Sequence, residues 1–243
     1  MIAGEAALTS KACSPTQGST IRPGKFFVLL GSLLVLLVGA AFLEGGQFSD
    51  AGFCALLTGV LLVAVVSVCR RHNNLGRGLA LTIPTVVLNW IGYATGRLEV
   101  FLAHDILIIF FFVFVAYHVF RAVLDDRHVT LDTIGGAACV YLLVGLAWTY
   151  VYGTILLVDG GSIRFATPTA VNGVSPFGSS NFAETAYFSF VTMTTLGYGD
   201  VTPTSPPART AAYLQAVFGQ FYLAVLVARL VSLHIVQMTR DQK

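Results

Sequence analysis

Residues 181–200 read NFAETAYFSFVTMTTLGYGD, and this stretch decides how the rest of the chain is interpreted. Residues 182–193 are mainly apolar, but they are too few to cross a bilayer, since a transmembrane helix needs about 20 residues. We therefore predict a re-entrant helix that leads directly into residues 194–200. Asn181 is its predicted N-cap, and Glu184 is expected in its first turn, where a carboxylate suits the helix dipole.

The segment 194–200 has a composition suited to non-helical backbone at membrane depth. Such backbone is tolerated only where it is buried in protein or lines water. Gly197 and Gly199 alternate with larger residues, and glycine adopts dihedrals closed to other residues, so successive carbonyls can point the same way. A stack of carbonyl rings can replace the hydration shell of a potassium ion. A ring needs several copies of the chain, so we predict a closed assembly of four.

The composition of the whole chain indicates a membrane protein. Its 243 residues are 56% hydrophobic and 11% charged, and the mean hydropathy is +0.78. This leaves too little polar surface for a soluble globular enzyme, and the apolar content also argues against disorder. The net charge of +2 comes without the clustered basic surface that nucleic acid requires, so no nucleic-acid partner is expected. The four cysteines lack metal-ligand spacing.

Six apolar stretches are long enough to cross a bilayer. They are residues 26–43, 51–69, 75–95, 98–120, 133–158 and 208–236. The expected fold is an all-α membrane protein with six transmembrane helices plus a re-entrant pore helix, which together build a tetrameric pore. A cleaved signal peptide is the alternative for the first stretch, although its apolar run is longer than the usual length of about 7–15 residues.

The predicted organisation has four parts. They are a cytoplasmic N-terminal segment (1–25), a four-helix peripheral transmembrane unit (26–120), a linker (121–132) that could form an interfacial helix, and a pore domain (133–243). No soluble ligand domain is expected after Val236.

Basic residues predict the orientation of the chain, because cytoplasmic loops carry an excess of Lys and Arg. With six crossings, ten basic residues fall on one side and three on the other, while Arg229 lies inside the last stretch. Both termini are therefore predicted to be cytoplasmic. We expect a multi-pass protein of a cell membrane, in contact with membrane lipid. The compact architecture favours a bacterial inner membrane.

Residues 194–200 resemble the selectivity filter of the potassium channels, which reads T-V-G-Y-G-D or T-L-G-Y-G-D. The resemblance covers roughly residues 131–243 and implies an outer helix, a turret, a pore helix, a filter and an inner helix. It implies that K+ is the permeant ion and that the Thr195 hydroxyl completes the innermost site. The carbonyls that would bind K+ are those of Thr195, Leu196, Gly197 and Tyr198.

The resemblance also implies roles for residues around this filter segment (residues 194–200). Thr194 and Gly199 would support it, Tyr198 would point away from the axis and brace it, and Asp200 would lie at the outer mouth. Tyr187 and Phe188 occupy positions where the family often has an aromatic cuff. Gly219 falls where many members carry a hinge glycine, with close helix packing as the alternative. Arg229 either snorkels to the cytoplasmic interface or places a charge at a gate.

The fourth stretch lacks the pattern of a voltage sensor. A six-span chain with a pore between spans five and six also resembles the voltage-gated channels, whose fourth span carries a basic residue at every third position. Here the stretch 98–120 contains no Arg or Lys, and Arg121 follows at its inner end. Since moving one charge through the membrane field is worth about 2.3 kcal/mol per 100 mV, steep voltage dependence needs several such charges. No conventional voltage sensor is expected.

His104 and Asp105 lie within this fourth stretch, where an ionisable group is costly unless it is paired. One interpretation pairs Asp105 with a polar neighbour such as Asn89, which would hold the four-helix unit together. The other makes His104 or Asp105 a sensor that titrates and renders opening pH-dependent.

The leading hypothesis is a homotetrameric, potassium-selective channel that conducts K+ passively. A non-conducting or modulatory channel subunit is one alternative. A potassium transporter subunit is another, although such proteins usually need four filter-like loops in one chain. No nucleophile with a base, carboxylate pair or metal-ligand set stands at motif spacing, so enzymatic activity is not expected.

Overall fold

The computed structural model of the chain describes residues 25–43, 49–69, 75–125, 130–165 and 179–241. Within these ranges the chain is almost entirely helical, with one short two-stranded sheet. The elements in chain order are α1 (Lys25–Phe42), α2 (Ser49–Cys69), α3 (Leu75–Thr95), α4 (Leu98–Asp125), α5 (Leu131–Val158), β1 (Ile163–Arg164), α6 (Ser179–Met193), β2 (Thr202–Pro203) and α7 (Pro206–Asp241).

The helices fit an all-α membrane protein. Five of those described, α2 to α5 and α7, are long and apolar enough to cross a membrane. The first predicted span differs, because the apolar run of α1, Phe26–Phe42, is shorter than the 18 residues that each of the other five supplies. In the sequence this run is followed by Leu43, Glu44 and two glycines. Six crossings therefore remain a proposal.

Helix α5 lies at the centre of the bundle and packs against α1, α4, α6 and α7. Small residues near its N-terminus permit this close packing. A Cβ on Gly136 would lie 2.7 Å from Cγ2 of Val123 on α4 and 3.0 Å from Cδ2 of Phe26 on α1. The N-terminus of α5 is capped by Thr130, whose side-chain oxygen accepts a hydrogen bond from the Thr133 amide at 3.2 Å.

Two boundaries differ from the sequence-based expectation. Helix α4 continues to Asp125, five residues into the predicted linker, because Val123 keeps its apolar face buried against the bundle. Residues 126–129 of that linker lie outside the described residues. Helix α6 begins at Ser179, so the predicted N-cap at Asn181 is wrong. Asn181 is instead the third residue of the helix, and Glu184 lies in the second turn.

The short sheet ties together the two segments that flank α6. Strand β1 pairs antiparallel with β2, with Ile163 opposite Pro203 and Arg164 opposite Thr202. The amide of Thr204 extends this contact by donating to the Ser162 carbonyl at 2.8 Å. The backbone that follows the filter segment is therefore fixed to the loop that follows α5. Residues 166–178 of this predicted outer loop lie outside the described residues.

Helix α7 packs against α5 and α6 but leaves most of its apolar surface uncovered. Only 17% of the window Pro206–Arg229 is buried, against 61% in α5. Its exposed apolar side chains include Tyr213, Leu214, Val217, Phe218, Phe221, Val225 and Val227. A helix with so much uncovered apolar surface needs lipid or further protein around it.

Candidate functional site

The filter segment folds back onto the end of α6. A helix leaves its last four carbonyls without intrahelical partners, and here the amides of the next residues satisfy three of them. The bonds run from Thr194 N to Phe190 O (2.9 Å), from Thr195 N to Thr192 O (3.0 Å) and from Leu196 N to Val191 O (3.0 Å). The start of the filter segment is thus fixed to the helix that precedes it.

Every second residue of the segment has a positive φ angle. The values are +58° for Thr195, +54° for Gly197 and +82° for Gly199. The backbone therefore alternates between positive and negative φ from one residue to the next. This alternation allows the polar groups of successive peptides to converge on one side. The glycines were predicted to supply this freedom. Thr195 was not, and a β-branched residue in this region carries strain of about 1–3 kcal/mol that its surroundings must offset.

The carbonyl oxygens of residues 195–198 are four successive backbone acceptors. Among the residues that the structure describes, none donates a hydrogen bond to any of these four oxygens. The neighbouring side chains are also uncovered in the single chain, with Leu196 55% and Tyr198 68% exposed. Backbone acceptors at membrane depth require a partner, and a cation that has lost its water can provide one.

The residues predicted to form an aromatic cuff take different positions. Tyr187 Oη donates to Asp200 Oδ2 at 2.6 Å, and the Val201 amide donates to the other oxygen of Asp200 at 3.0 Å. Phe188 instead points into the bundle, where its ring lies 4.7 Å from that of Tyr152 on α5. Tyr187 therefore braces the outer end of the filter segment, while Phe188 anchors α6 to α5.

The hydrogen bond from Tyr187 lowers the pKa of the Asp200 carboxyl below its ordinary value of 3.8. Because the pKa is lower in the folded chain, this bond stabilises the fold above pH 3.8, and the contribution is lost as the pH falls through the lowered value. We expect Tyr187→Phe to raise the pKa of Asp200 towards 3.8. Carboxyl carbon NMR, with Asp200→Asn to assign the signal, measures the shift.

The control for this prediction is Tyr93→Phe, which removes an exposed hydroxyl from α3 without touching Asp200. Its Asp200 signal should titrate as in the unchanged protein. Equal titration curves for Tyr187→Phe and the unchanged protein would contradict the assignment of Tyr187 as the bracing donor.

Helix α7 contacts the inner end of the site at two residues. A Cβ on Gly219 would lie 2.4 Å from the Met193 carbonyl oxygen, so α7 passes directly against the last residue of α6. This geometry supports the packing alternative for Gly219. The next residue, Gln220, donates from Nε2 to Thr195 Oγ1 at 3.3 Å. The sequence analysis did not single out Gln220, although a glutamine within an apolar helix was a visible signal.

The buried pair His104 and Asp105 lies away from the filter segment, where α4 packs on α5. His104 Nδ1 lies 3.2 Å from Asp105 Oδ1, and Thr154 Oγ1, which donates to the Tyr150 carbonyl at 2.9 Å, lies 3.5 Å from Asp105 Oδ2. The predicted partner Asn89 is wrong, because it faces α2 and donates from Nδ2 to the Cys54 carbonyl at 3.2 Å. Asp105 therefore connects α4 to α5. The pH-sensor interpretation stays a prediction.

Arg229 contacts the C-terminal end of α4, a partner that neither of its predicted alternatives named. Its Nη2 donates to the Val123 carbonyl at 3.3 Å and also to the Leu124 carbonyl, both in the last turns of α4. The guanidinium thus satisfies carbonyls that a helix end leaves free, and its positive charge suits the negative end of the helix dipole. Arg229 joins α7 to the C-terminal end of α4.

Comparison with known proteins gives two matches. A family profile described as an ion channel matches residues 152–235, which contain α6, the filter segment and most of α7. The inward rectifier potassium channel Kirbac3.1 of Paramagnetospirillum magnetotacticum is 31% identical over 107 residues, which is 43% of this chain and 32% of that relative. The chain thus spans less than half of the length of the relative. No solved structure matches the chain significantly.

The family profile falls on the part of the chain that contains the filter segment and the helices packed directly against it. Together with the motif of residues 194–200, the matches show that this part of the chain is similar to ion channels, among them a potassium channel.

Proposed function

We propose that the protein conducts K+ passively through a filter built from residues 195–198 of four identical chains. One observation carries the proposal. Positive φ at every second residue gives a row of four carbonyls to which no described residue donates a hydrogen bond. Four such rows around an axis replace the hydration shell of K+, and repulsion between neighbouring ions keeps them moving.

The surface of α7 supports the homotetramer. A single chain supplies only one side of each carbonyl ring, so conduction requires closed symmetry. Helix α7 follows the filter segment and is the helix expected to line the pore and meet its neighbours. The low burial of Pro206–Arg229 agrees with this role. The gate is then the place where the inner ends of the four α7 helices converge.

Helix α6 supports cation selectivity. Its C-terminal end, at Met193, leads directly into the filter segment. The C-terminal end of a helix carries partial negative charge, so four such ends directed at a common cavity favour a cation there. In this arrangement α6 is a re-entrant pore helix, because its 15 residues do not span a bilayer.

The first four helices complete the proposed architecture. With α1 counted as a crossing, the chain has six spans, both termini are cytoplasmic, and a bacterial inner membrane surrounds the channel. The peripheral unit (26–120) packs on the pore domain (133–243) mainly through α4 and α5. Since α4 carries no Arg or Lys before Arg121, the channel is not conventionally voltage-sensing.

The test is the reversal potential of the purified protein in a planar bilayer, with K+ on one side and Na+ on the other. We expect the current to reverse near the K+ equilibrium potential and to be abolished by barium. The physical reason is that carbonyl rings held at the spacing of K+ replace its water shell better than that of Na+. Reversal near zero would contradict the filter assignment.

Two alternatives have distinct outcomes in the same preparation. Stable tetramers without current at any voltage or pH would favour a non-conducting or modulatory subunit. Saturable K+ uptake without channel current would favour a potassium transporter subunit.

A further inference from the structure

Beside the filter segment, three helices are joined by a network of hydrogen-bonded polar side chains that has no contact with solvent, called here the polar network. Its members are Tyr152 on α5, Gln215 on α7 and Ser189 on α6, each with 0% of its surface exposed. The sequence analysis did not predict this cluster. Polar groups buried this deeply in an apolar bundle are retained only when their hydrogen bonds are satisfied.

Each hydrogen bond of the polar network has a defined donor and acceptor. Tyr152 Oη donates to Gln215 Oε1 at 2.6 Å, and Gln215 Nε2 donates to Ser189 Oγ at 2.7 Å. The same Nε2 also donates to the Ser189 carbonyl at 3.1 Å. Ser189 Oγ uses its single proton to donate to the Gly145 carbonyl at 2.8 Å, so the polar network begins and ends on α5.

Gln215 is the member that no other natural side chain replaces without loss. Its amide accepts on one side and donates twice on the other, which matches the Tyr152 hydroxyl and the two oxygens of Ser189. A leucine would leave all three partners without this bond. A glutamate would bury a charge and direct an acceptor at the acceptor oxygens of Ser189.

The polar network lies close to the start of the filter segment. Ser189 lies one turn before Met193, where α6 ends, and Gln215 lies one turn before Gly219, which passes against the Met193 carbonyl. Gln220 then reaches the hydroxyl of Thr195 at 3.3 Å. Helix α7 thus holds α6 and the start of the filter segment at three successive levels, and the Gln215 level is buried on all sides.

We infer that Gln215 is a positioning residue that sets the depth of α6 against α7 and thereby the K+ selectivity of the carbonyls of residues 195–198. The inference rests on the proposed function. Gln215 touches no ion in this arrangement. It acts by fixing α6, whose last residues hold the filter segment through the three backbone hydrogen bonds described above.

The experiment compares the ratio of K+ to Na+ permeability between variants, using tetramers isolated by size-exclusion chromatography and placed in planar bilayers. Gln215→Leu is expected to lower the ratio about tenfold, because the three buried hydrogen bonds of its amide are lost. Tyr152→Phe, which removes one hydroxyl and keeps the ring, is expected to lower it by a smaller factor. The double variant should match Gln215→Leu alone, since both substitutions interrupt the same polar network.

Thr149→Val is the matched control. Thr149 is buried and donates to the same Gly145 carbonyl at 3.0 Å, but its bond stays within α5 and joins no other helix. Its permeability ratio should equal that of the unchanged protein. If Thr149→Val and Gln215→Leu lower the ratio equally, the effect comes from any buried polar loss, and the inference is overturned.

The remaining outcomes are also decisive. If the unchanged protein selects K+ and Gln215→Leu has the same permeability ratio, the role of Gln215 is overturned. The proposed function stays intact in that case. An unchanged protein that does not select K+ overturns the proposed function and the inference with it. If Gln215→Leu gives no tetramer, Tyr152→Phe decides, because a lowered ratio supports the inference and an unaltered one overturns it.

Discussion

Gly197→Ala is expected to abolish K+ flux while the tetramer still assembles. Gly197 has a φ of +54°, a conformation that costs an L-residue about 1–2 kcal/mol. An alanine returns to negative φ by rotating the adjoining peptides, which turns a carbonyl away from the axis in all four chains at once. A Cβ at this position meets no atom within 4 Å, so packing within the chain is not disturbed. The measurement is K+ efflux from loaded liposomes.

Gly96→Ala is the control for this substitution. Gly96 also has a positive φ, +64°, and a Cβ there also meets no atom within 4 Å, but it lies between α3 and α4. It introduces the same backbone strain away from the filter segment, so flux should be retained. Selective K+ flux through Gly197→Ala at the rate of the unchanged protein would show that the alternating backbone is not required for conduction.

Gly219→Ala is expected to destabilise the channel and reduce its flux. The added Cβ would lie 2.4 Å from the Met193 carbonyl oxygen and 3.3 Å from its carbon, and neither atom is on a flexible side chain. Either α7 or the end of α6 must therefore move, and overpacking of this kind costs about 1–3 kcal/mol. The displacement falls directly beneath Thr195. The thermal melting of the purified tetramer measures the loss, which should appear as a lower midpoint.

Gly59→Ala supplies the comparison, because Gly59 lies within α2 and a Cβ there meets no atom within 4 Å. It should melt at or above the temperature of the unchanged protein, since alanine favours a helix by about 1 kcal/mol over glycine. The two alternatives for Gly219 then separate. A hinge predicts an unaltered melting midpoint with a changed open probability, whereas close packing predicts that the midpoint falls.

The features that were predicted from sequence are those set by short stretches of the chain. The length of an apolar run determines whether a helix can cross a bilayer, and the later spans agree with the observed helices to within a few residues. The glycines of the filter segment marked two of its three residues with positive φ. Thr195 escaped because its conformation is imposed by the end of α6 and by Gln220, and its own side chain gives no sign of it.

The features that were missed depend on which faces of two helices meet. Tyr152 and Gln215 are 63 positions apart, and Arg229 and Val123 are 106 apart. An apolar helix in an apolar bundle gives little indication of its rotation, since lipid and protein interior favour the same side chains. Asp105 illustrates the difficulty. Its need for a partner was clear from its position, but the choice of Asn89 was wrong, because only the packing of α3, α4 and α5 shows that Asp105 faces Thr154 and Asn89 faces Cys54.

The contact between Arg229 and the end of α4 makes the positions of two helices linked thermodynamic variables. Hydrogen bonds from a charged donor contribute about 1.5–3 kcal/mol, so the inner half of α7 moves outward only by losing that free energy or by carrying the end of α4 with it. Linkage is reciprocal, and a force that tilts α4 must therefore shift the equilibrium of α7 by the same amount that α7 shifts α4. Under the proposed function, an arginine on α7 would therefore couple the C-terminal end of α4 to the opening of the pore, without any charge moving through the membrane field.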